Sequence, residues 1–283
     1  GILRFFCGRD FVSLNIMSAH QLPSIYLQAI QAAIHASSVI SEIYQNPVSP
    51  TIKEDGSPVT KADLASSKVI AEHLLKTGIP ITGEEREKRD FETRSQWIEN
   101  WCVDPLDGTR MFLKRNGEFS VNIAHIVNNA PAFGIIASPV NKEVIVGGPE
   151  HGCFLIQFKD VESPENWKSI TAHSKPNDPL KIICSHSYEA SHGGTNFESY
   201  TENRAHEYIR RGSAIKFFNL ALGSADIYPR FAPTMEWDIA AGHAILNTLG
   251  GTVVNVHTNE PLTYNKKSLY NPHFIAKTKA IQV

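Results

Sequence analysis

Six short apolar runs follow one another closely between residues 79 and 158, and no other feature limits the possible folds as much. The runs are rich in β-branched and aromatic residues, which is typical of β-strands. Strands in such close succession predict an antiparallel or mixed sheet. The runs cover residues 79–82, 97–103, 120–127, 132–137, 144–146 and 153–158.

Helical patterns flank this strand-rich region. Apolar residues recur at helical spacing over residues 22–44, and Pro47 ends that pattern. A second helix begins near Thr60 and ends near Gly78. After residue 164 strands and helices alternate, with strands predicted at 180–185, 225–228 and 252–256 and helices at 213–222 and 236–249.

The change of pattern near residues 158–170 predicts two layered halves that form one unit. Residues 1–160 are predicted to form an α+β half, and residues 161–283 an α/β half. A chain of 283 residues with 42% hydrophobic content can bury a core of this size.

The charge balance limits the class of substrate. The chain has 27 Lys and Arg residues against 29 Asp and Glu residues, a net charge of −2. Because no basic excess is present to bind a phosphate backbone, polymeric nucleic acid is excluded as the expected partner.

Cysteine usage and hydropathy predict a cytoplasmic protein. The four cysteines, Cys7, Cys102, Cys153 and Cys184, form no Cys-x-x-Cys pair. No run approaches the roughly 20 apolar residues of a membrane-spanning helix, so no transmembrane segment is expected, and peripheral membrane association stays open. The residues before Met17 lack the apolar core of a signal peptide and are interpreted either as an upstream extension or as residues added artificially.

Two carboxylates lie three residues apart directly after the second apolar run. Pro105 fixes its own φ and Gly108 permits a tight turn, so Asp104 and Asp107 can converge. The Leu106 carbonyl can face the same point, and hard oxygen ligands of this kind suit Mg²⁺. The alternative is a purely structural turn, because turns commonly use Asp and Gly.

Further carboxylates occur at the ends of predicted elements. Glu84 and Glu85 follow the first apolar run, and Asp238 lies in the first turn of the last predicted helix. Ends of strands are where sites form in α/β folds. The alternatives are a solvated acidic turn for the glutamates and a helix-dipole partner for Asp238, and the latter reading keeps Glu236 outside the metal ligands.

Three ordered motifs resemble those of the inositol monophosphatase-like, lithium-sensitive phosphatase superfamily. The motifs are Gly83-Glu-Glu85, Asp104-Pro-Leu-Asp-Gly-Thr109 and Trp237-Asp-Ile-Ala-Ala-Gly242. Within it, residues 108–124, 212–216 and 228–231 are similar to the 3′(2′),5′-bisphosphate nucleotidases of bacterial sulfur assimilation, and the match runs over residues 57–271. The resemblance implies a five-layer αβαβα sandwich with the site between its halves.

The resemblance also implies the metal ligands. One Mg²⁺ would be held by Glu84, Asp104 and the Leu106 carbonyl, and a second by Asp104, Asp107 and Asp238. A third, weaker ion is seen in relatives, and Glu85 would lie near it.

Catalytic roles follow from the same resemblance. The family uses a threonine after the Asp-Gly pair in a hydrogen-bond chain with an aspartate, and Thr109 and Asp63 match these positions. We therefore predict Asp63, Thr109 and Glu84 as the catalytic residues. The alternatives are a turn hydroxyl for Thr109 and a helix cap for Asp63.

Substrate contacts are predicted at both ends of the ligand. Backbone N–H groups of Gly108 and Thr109 would bind the scissile phosphate, with Asp107 and Asp238 beside them. The remote phosphate would be bound by Ser213, Lys216 and Arg230, which match the family's positions for it. Lys114, Arg115 and Asn116 either cover the substrate or form a solvated loop that holds the next strand in register.

The predicted reaction is hydrolysis of the 3′-phosphate of 3′-phosphoadenosine 5′-phosphate to AMP, with its 5′-phosphosulfate analogue as a second substrate. The alternatives are an inositol- or sugar-monophosphatase and a catalytically silent metal- or nucleotide-binding module. The chain departs from the subfamily at Met111, which replaces a carboxylate, and at residues 185–188, which read Ser-His-Ser-Tyr instead of Ser-Arg-Ser-His. The protein is expected to be a monomer or a homodimer.

Overall fold

The computed structural model describes residues 22–188, 198–201 and 203–281. The predicted extension before Met17 lies outside the described residues. The helices are α1 (Ser24–Tyr44), α2 (Lys61–Leu74), α3 (Phe91–Arg94), α4 (Thr109–Leu113), α5 (Glu198–Thr201), α6 (Ile215–Ala221) and α7 (Glu236–Thr248). The strands are β1 (Thr51–Ile52), β2 (Pro58–Val59), β3 (Ile81–Gly83), β4 (Glu99–Asp107), β5 (Ser120–Val127), β6 (Ala130–Ser138), β7 (Glu143–Gly148), β8 (Gly152–Gln157), β9 (Lys168–Ile170), β10 (Leu180–Cys184), β11 (His206–Arg210), β12 (Ile227–Arg230), β13 (Thr252–Asn255) and β14 (Phe274–Lys277).

The six predicted runs form a seven-stranded sheet together with β9. Its strands follow chain order from β3 to β9. The β3–β4 pair is parallel and every later pair is antiparallel, which confirms the mixed sheet.

The second apolar run forms a longer strand than predicted. We expected it to end at residue 103, with the two aspartates on a following turn, whereas β4 continues to Asp107. Its pairing with β5 shifts register between Asp104 and Asp107, because Pro105 has no N–H to donate and the backbone bulges there. The bulge lets the carboxylates of Asp104 and Asp107 lie on the same side of β4.

A second sheet has the strand order β11, β10, β12, β14, β13. The β10 strand pairs parallel with β11 and β12, and β14 pairs antiparallel with β12 and β13. Strands β11 and β14 lie outside the strands predicted from the sequence. Most side chains of β11 are exposed or half-buried, so no apolar run marks it.

The layers are ordered α, β, α, β, α, which confirms the predicted sandwich. Helices α1 and α2 cover one face of the large sheet, where Trp101 and Val103 of β4 enter the core. Cys102 points to the opposite face, towards α6, α7 and the second sheet. Tyr200 of α5 packs on the outer face of the second sheet.

Parts of the two halves share layers. Strand β9 pairs with β8, so the large sheet extends to Ile170, and α7 contacts β5 and β6 of that sheet. The division after residue 160 stays a prediction. In the described residues, no helix is long and apolar enough to cross a membrane.

Candidate active site

A cavity of about 510 Å³ opens where the end of β4, the start of α6 and the start of α7 meet. Its lining combines many polar and charged side chains with apolar ones such as Met111, Phe217 and Ile239. Except for Asp63, every residue of the predicted site lines it: Glu84, Asp104, Leu106, Asp107, Gly108, Thr109, Ser213, Lys216, Arg230 and Asp238.

Asp104 and Asp107 lie on either side of the β4 bulge. Asp104 is 1% exposed, and its Oδ1 accepts a hydrogen bond from the Leu106 N–H at 3.1 Å. Asp107 Oδ2 accepts from Asn122 Nδ2 at 3.1 Å and from the Ala214 N–H at 2.7 Å. Hydrogen bonds from three elements therefore fix where these carboxylates point.

Asp238 reaches the same point from the first turn of α7. Its Oδ2 accepts from the Met235 N–H at 2.7 Å, so the side chain caps the helix in addition to lying in its first turn, where the structural alternative expected a helix-dipole partner. One carboxylate oxygen each of Asp104, Asp107 and Asp238 lie within 4.8 Å of one another. Asp238 therefore both caps α7 and belongs to the acidic cluster.

This crowding perturbs the acidity of the cluster. Burial, and then the neighbouring carboxylates, raises the pKa of Asp104 well above its ordinary value. Burial and the Asp107 charge raise the pKa of Asp238 to about 7. The pKa of Asp107 is also raised, first by burial, although Lys216 opposes the shift. One buried and two half-buried carboxylates this close together need a compensating positive charge.

Glu84 lies beside this cluster and forms an ion pair. Lys53, on the turn between β1 and β2, donates to Glu84 Oε1 at 2.9 Å and to Glu85 Oε1 at 2.7 Å. Burial raises the pKa of Glu84, and the pairing with Lys53 opposes that shift. The two glutamates follow β3 as predicted and are not free in solvent.

The donor set fits hard divalent cations. Carboxylate oxygens of Asp104, Asp107 and Asp238 converge, and Glu84 and Leu106 line the same cavity. Mg²⁺ prefers oxygen ligands of this kind, and its charge would remove the electrostatic cost of the cluster. His and Cys ligands, which zinc prefers, are absent from the acidic cluster as described.

Asp63 and Thr109 form a hydrogen-bonded pair at the edge of the cavity. The Thr109 hydroxyl donates to Asp63 Oδ1 at 2.8 Å, and Asp63 Oδ2 accepts from the backbone and side chain of Thr60. Asp63 is therefore both a helix cap and a partner of Thr109. Because the single hydroxyl proton of Thr109 is used, its oxygen can accept a hydrogen bond from the cavity.

Two cations, the buried Lys216 and the half-buried Arg230, line the same cavity. Lys216 is 4% exposed and donates to the Ser213 carbonyl at 2.8 Å. Burial lowers the pKa of Lys216 to about 8, although Asp107 opposes the shift. Arg230 donates to Ser185 Oγ at 2.8 Å, and its Nε has no hydrogen-bond partner among the residues that the structure describes.

The two departures from the subfamily pattern fall in different places. Met111 lines the cavity, whereas Tyr188 is buried in the outer core of the second sheet. His186 also lines the cavity, and its Nε2 lies 2.6 Å from Glu118 Oε2. Glu118 further accepts from the Gly212 N–H at 2.7 Å, which ties the loop after α4 to the start of α6.

The residues of the basic loop after α4 fit different ones of the two alternatives given for that loop. Lys114 lines the cavity, as a residue covering the substrate would. Arg115 instead donates to the Tyr44 carbonyl at 2.6 Å and lies over its ring. Asn116 accepts from the Glu118 N–H at 3.0 Å, which supports the following strand.

Two polar residues of the site were missed by the sequence analysis. Lys53 lies between strands of only two residues, and Asn122 lies inside the apolar run that forms β5. For Asn122 a usable signal existed, because a polar side chain inside a buried strand requires a hydrogen-bond partner.

Comparisons with known proteins identify related chains. Residues 21–282 match the model of the inositol monophosphatase family. The chain is 36% identical over 261 residues to the 3′(2′),5′-bisphosphate nucleotidase CysQ of Shigella flexneri, covering 87% of this chain and 97% of that protein. The corresponding protein of Haemophilus influenzae is 32% identical over 269 residues, covering 92% and 93%.

Solved structures give the same result. The crystal structure of CysQ from Bacteroides thetaiotaomicron, a bacterial member of the inositol monophosphatase family, superposes with a TM-score of 0.79 at 37% identity and covers 92% of this chain and 99% of that chain. The suhB protein of Bartonella henselae shares the fold, with a TM-score of 0.71 at 23% identity over 92% and 96% of the two chains. The chain therefore belongs to the inositol monophosphatase family of phosphatases.

Proposed function

We propose that the protein hydrolyses the 3′-phosphate of 3′-phosphoadenosine 5′-phosphate, releasing AMP and inorganic phosphate. The observation that carries this proposal is a single cavity that is lined both by the acidic cluster and by two cations, Lys216 and Arg230. Neither cation hydrogen-bonds a carboxylate within the described part of the chain, so both are available to a second phosphate. The relatives' name, bisphosphate nucleotidase, supports the same assignment.

We assign Mg²⁺ to the acidic cluster, with two ions and a weaker third as the expected number. Glu84, Asp104, Asp107, Asp238 and the Leu106 carbonyl would hold them. When bound, the ions polarise the phosphoryl oxygens and neutralise charge that develops on the leaving oxygen. Li⁺ is expected to inhibit by competing for one of these positions.

The protein's own residues would handle the attacking water and its proton. Thr109 donates to Asp63, so its oxygen can accept a hydrogen bond from that water and orient it. One proton of the water would pass to the Thr109 oxygen as the Thr109 proton passes to Asp63. The water oxygen would form a new bond to phosphorus as the bond to the 3′-oxygen breaks, and the 3′-oxygen would take a proton from solvent, so that the products are AMP and phosphate. Water enters as the nucleophile, so no covalent phosphoenzyme is required.

Binding of the remote phosphate would position the reacting end. Lys216 and Arg230 would bind the 5′-phosphate, with Ser213 at the start of α6. The 5′-phosphosulfate analogue carries its charge at the same end, so we extend the proposal to it. An inositol phosphate has no second charged group for these cations.

Phosphate release from 3′-phosphoadenosine 5′-phosphate and from inositol 1-phosphate, each with Mg²⁺ and with EDTA, tests the proposal. We expect Lys216→Met to lower kcat/KM for the nucleotide about tenfold to hundredfold, since a hydrogen bond to a charged group contributes about 1.5–3 kcal/mol. Turnover of inositol 1-phosphate should change little. Lys175→Met, at an exposed lysine, is the matched control.

Two results would contradict the proposal. Faster turnover of inositol 1-phosphate than of the nucleotide would assign the protein to the inositol- or sugar-monophosphatases. Failure to release phosphate from either substrate at saturating Mg²⁺ would favour a silent metal- or nucleotide-binding module.

A further inference from the structure

We propose that Glu236 is a positioning residue of the metal site, acting through the backbone at the start of α7. Its carboxylate binds the loop of residues 265–267 and so sets where Asp238, two residues further along, meets Asp104 and Asp107. This inference rests on the proposed binding of divalent cations by the acidic cluster.

The Glu236 side chain is fully engaged with that loop. It is 2% exposed, and its Oε2 accepts from the Asn265 N–H at 2.7 Å. Its Oε1 accepts from the Lys266 N–H at 3.0 Å and from Lys266 Nζ at 2.6 Å. A buried carboxylate with this many donors is held in one orientation, because each donor would lose its partner if the side chain moved.

The loop is in turn held by the first half of the chain. Arg94, in α3, is 3% exposed and donates to Asn265 Oδ1 at 2.8 Å and to the Lys266 carbonyl at 3.1 Å. Asn265 Nδ2 donates back to the Arg94 carbonyl at 2.8 Å. Arg94 therefore links the segment that follows Glu84 to the loop that holds α7.

The backbone next to Glu236 shares this anchorage. The Glu236 N–H donates to the Leu269 carbonyl at 2.9 Å, and Asn271 Nδ2 donates to the Met235 carbonyl at 2.8 Å. The Met235 N–H is the donor that holds Asp238 Oδ2. The same short segment therefore carries both the anchor and the proposed metal ligand.

Asp238 must be held in position because the carboxylates of the acidic cluster repel one another. Without a cation, repulsion between Asp238 and the two carboxylates of the β4 bulge favours movement of α7 away from β4. The Glu236 contacts oppose that movement and keep the oxygens within 4.8 Å. Loss of such an outer contact typically lowers metal affinity or activity about 10- to 100-fold.

Mn²⁺ binding, measured by titration and electron paramagnetic resonance, tests this role without turnover. Glu236→Gln preserves the side chain's size but places an amide NH₂ group among the Lys266 donors. We expect Mn²⁺ affinity to fall about tenfold or more, with a parallel rise in the Mg²⁺ concentration for half-maximal activity. KM for the nucleotide at saturating Mg²⁺ should change less. Asn265→Ala, which removes the link to Arg94 without altering charge, should act in the same direction.

Asp226→Asn is the matched control. Asp226 is 3% exposed and accepts from the Asn177 N–H, Asn177 Nδ2 and the Lys181 N–H. Like Glu236 it is a buried carboxylate with several hydrogen-bond donors, but it does not line the cavity. We expect this variant to lose thermal stability but to bind Mn²⁺ as the wild type does.

The outcomes separate this inference from the proposed function. Wild-type protein that binds no Mn²⁺ would overturn both. Wild-type affinity in Glu236→Gln, with a stability loss like that of Asp226→Asn, would overturn only the positioning role. If Glu236→Gln does not fold, the Mn²⁺ affinity of Asn265→Ala decides in the same way.

Discussion

At the scale of single residues, the site combines groups that also perform structural tasks. Asp63 caps α2 and accepts from Thr109, and Asp238 caps α7 and joins the acidic cluster. For each of these residues the sequence alone allows either a structural or a functional interpretation. The structure supports both at once, because the helix ends that need caps lie at the cavity.

The Thr109 hydroxyl offers a clean test of the proposed water-orienting chain. We expect Thr109→Val to lower kcat about hundredfold or more, because it removes the hydroxyl that joins the cavity to Asp63. KM and thermal stability should change little, since the side chain is only half-buried. Thr109→Ser keeps the hydroxyl and should retain most activity in a steady-state phosphate-release assay. Equal kcat values for the Val and Ser variants would contradict the role.

At the scale of elements, the sequence predicted what its local patterns determine. The strands from β3 to β8 and the helices α1, α2, α6 and α7 were predicted because apolar periodicity marks them. The hairpin of β1 and β2 was missed because its strands are two residues long and exposed or half-buried. Strand β11 was missed because it lies at the edge of its sheet and its pairing with β10, rather than an apolar run of its own, defines it.

The candidate site divides in the same way. Carboxylates at element ends could be placed from the sequence, since a strand end or helix start defines where they lie. The Glu236 anchor and the Lys53 ion pair could not, because each depends on residues far away in the chain. A contact such as that of Arg94 with Asn265, 171 residues apart, leaves no local signal.

The close contact between α7 and β6 makes a prediction at this scale. A Cβ atom at Gly134 would lie 2.1 Å from the Ala241 carbonyl oxygen, so Gly134→Ala must push α7 away from the sheet. We expect a loss of about 1–3 kcal/mol in the free energy of unfolding, measured by urea denaturation, together with weaker Mg²⁺ activation. Gly147 also faces α7, but a Cβ there would lie 3.4 Å from its nearest neighbours. If Gly147→Ala were as destabilising as Gly134→Ala, tight packing of α7 would not be the cause.

At the scale of the whole molecule, metal binding should be linked to stability and pH. The folded-state pKa of Asp238 is raised from 3.8 to about 7, so the metal-free protein retains a proton that the unfolded chain releases above about pH 4. Stability from this group is therefore present at low pH and is lost as the pH rises through 7. A bound cation would remove that loss.

Thermal denaturation at pH 5.5 and pH 8 checks this linkage. We expect Mg²⁺ to raise Tm more at pH 8, where the carboxylates are charged, than at pH 5.5, where the ion must displace protons. At about a hundred times its Kd, a ligand stabilises by about 2.7 kcal/mol. NaCl at equal ionic strength is the control, and an equal Mg²⁺ effect at both pH values would argue against binding at the acidic cluster.

The convergence of distant carboxylates on divalent ions is tested most directly by anomalous diffraction from crystals grown with Mn²⁺ and phosphate. We expect anomalous peaks in the cavity at about 2.0–2.2 Å from oxygens of Asp104, Asp107 and Asp238, since ions of this size bind oxygen at such distances. A further peak is expected beside Glu84 and the Leu106 carbonyl. Strong peaks elsewhere in the molecule, with none among these carboxylates at saturating Mn²⁺, would contradict the proposed site.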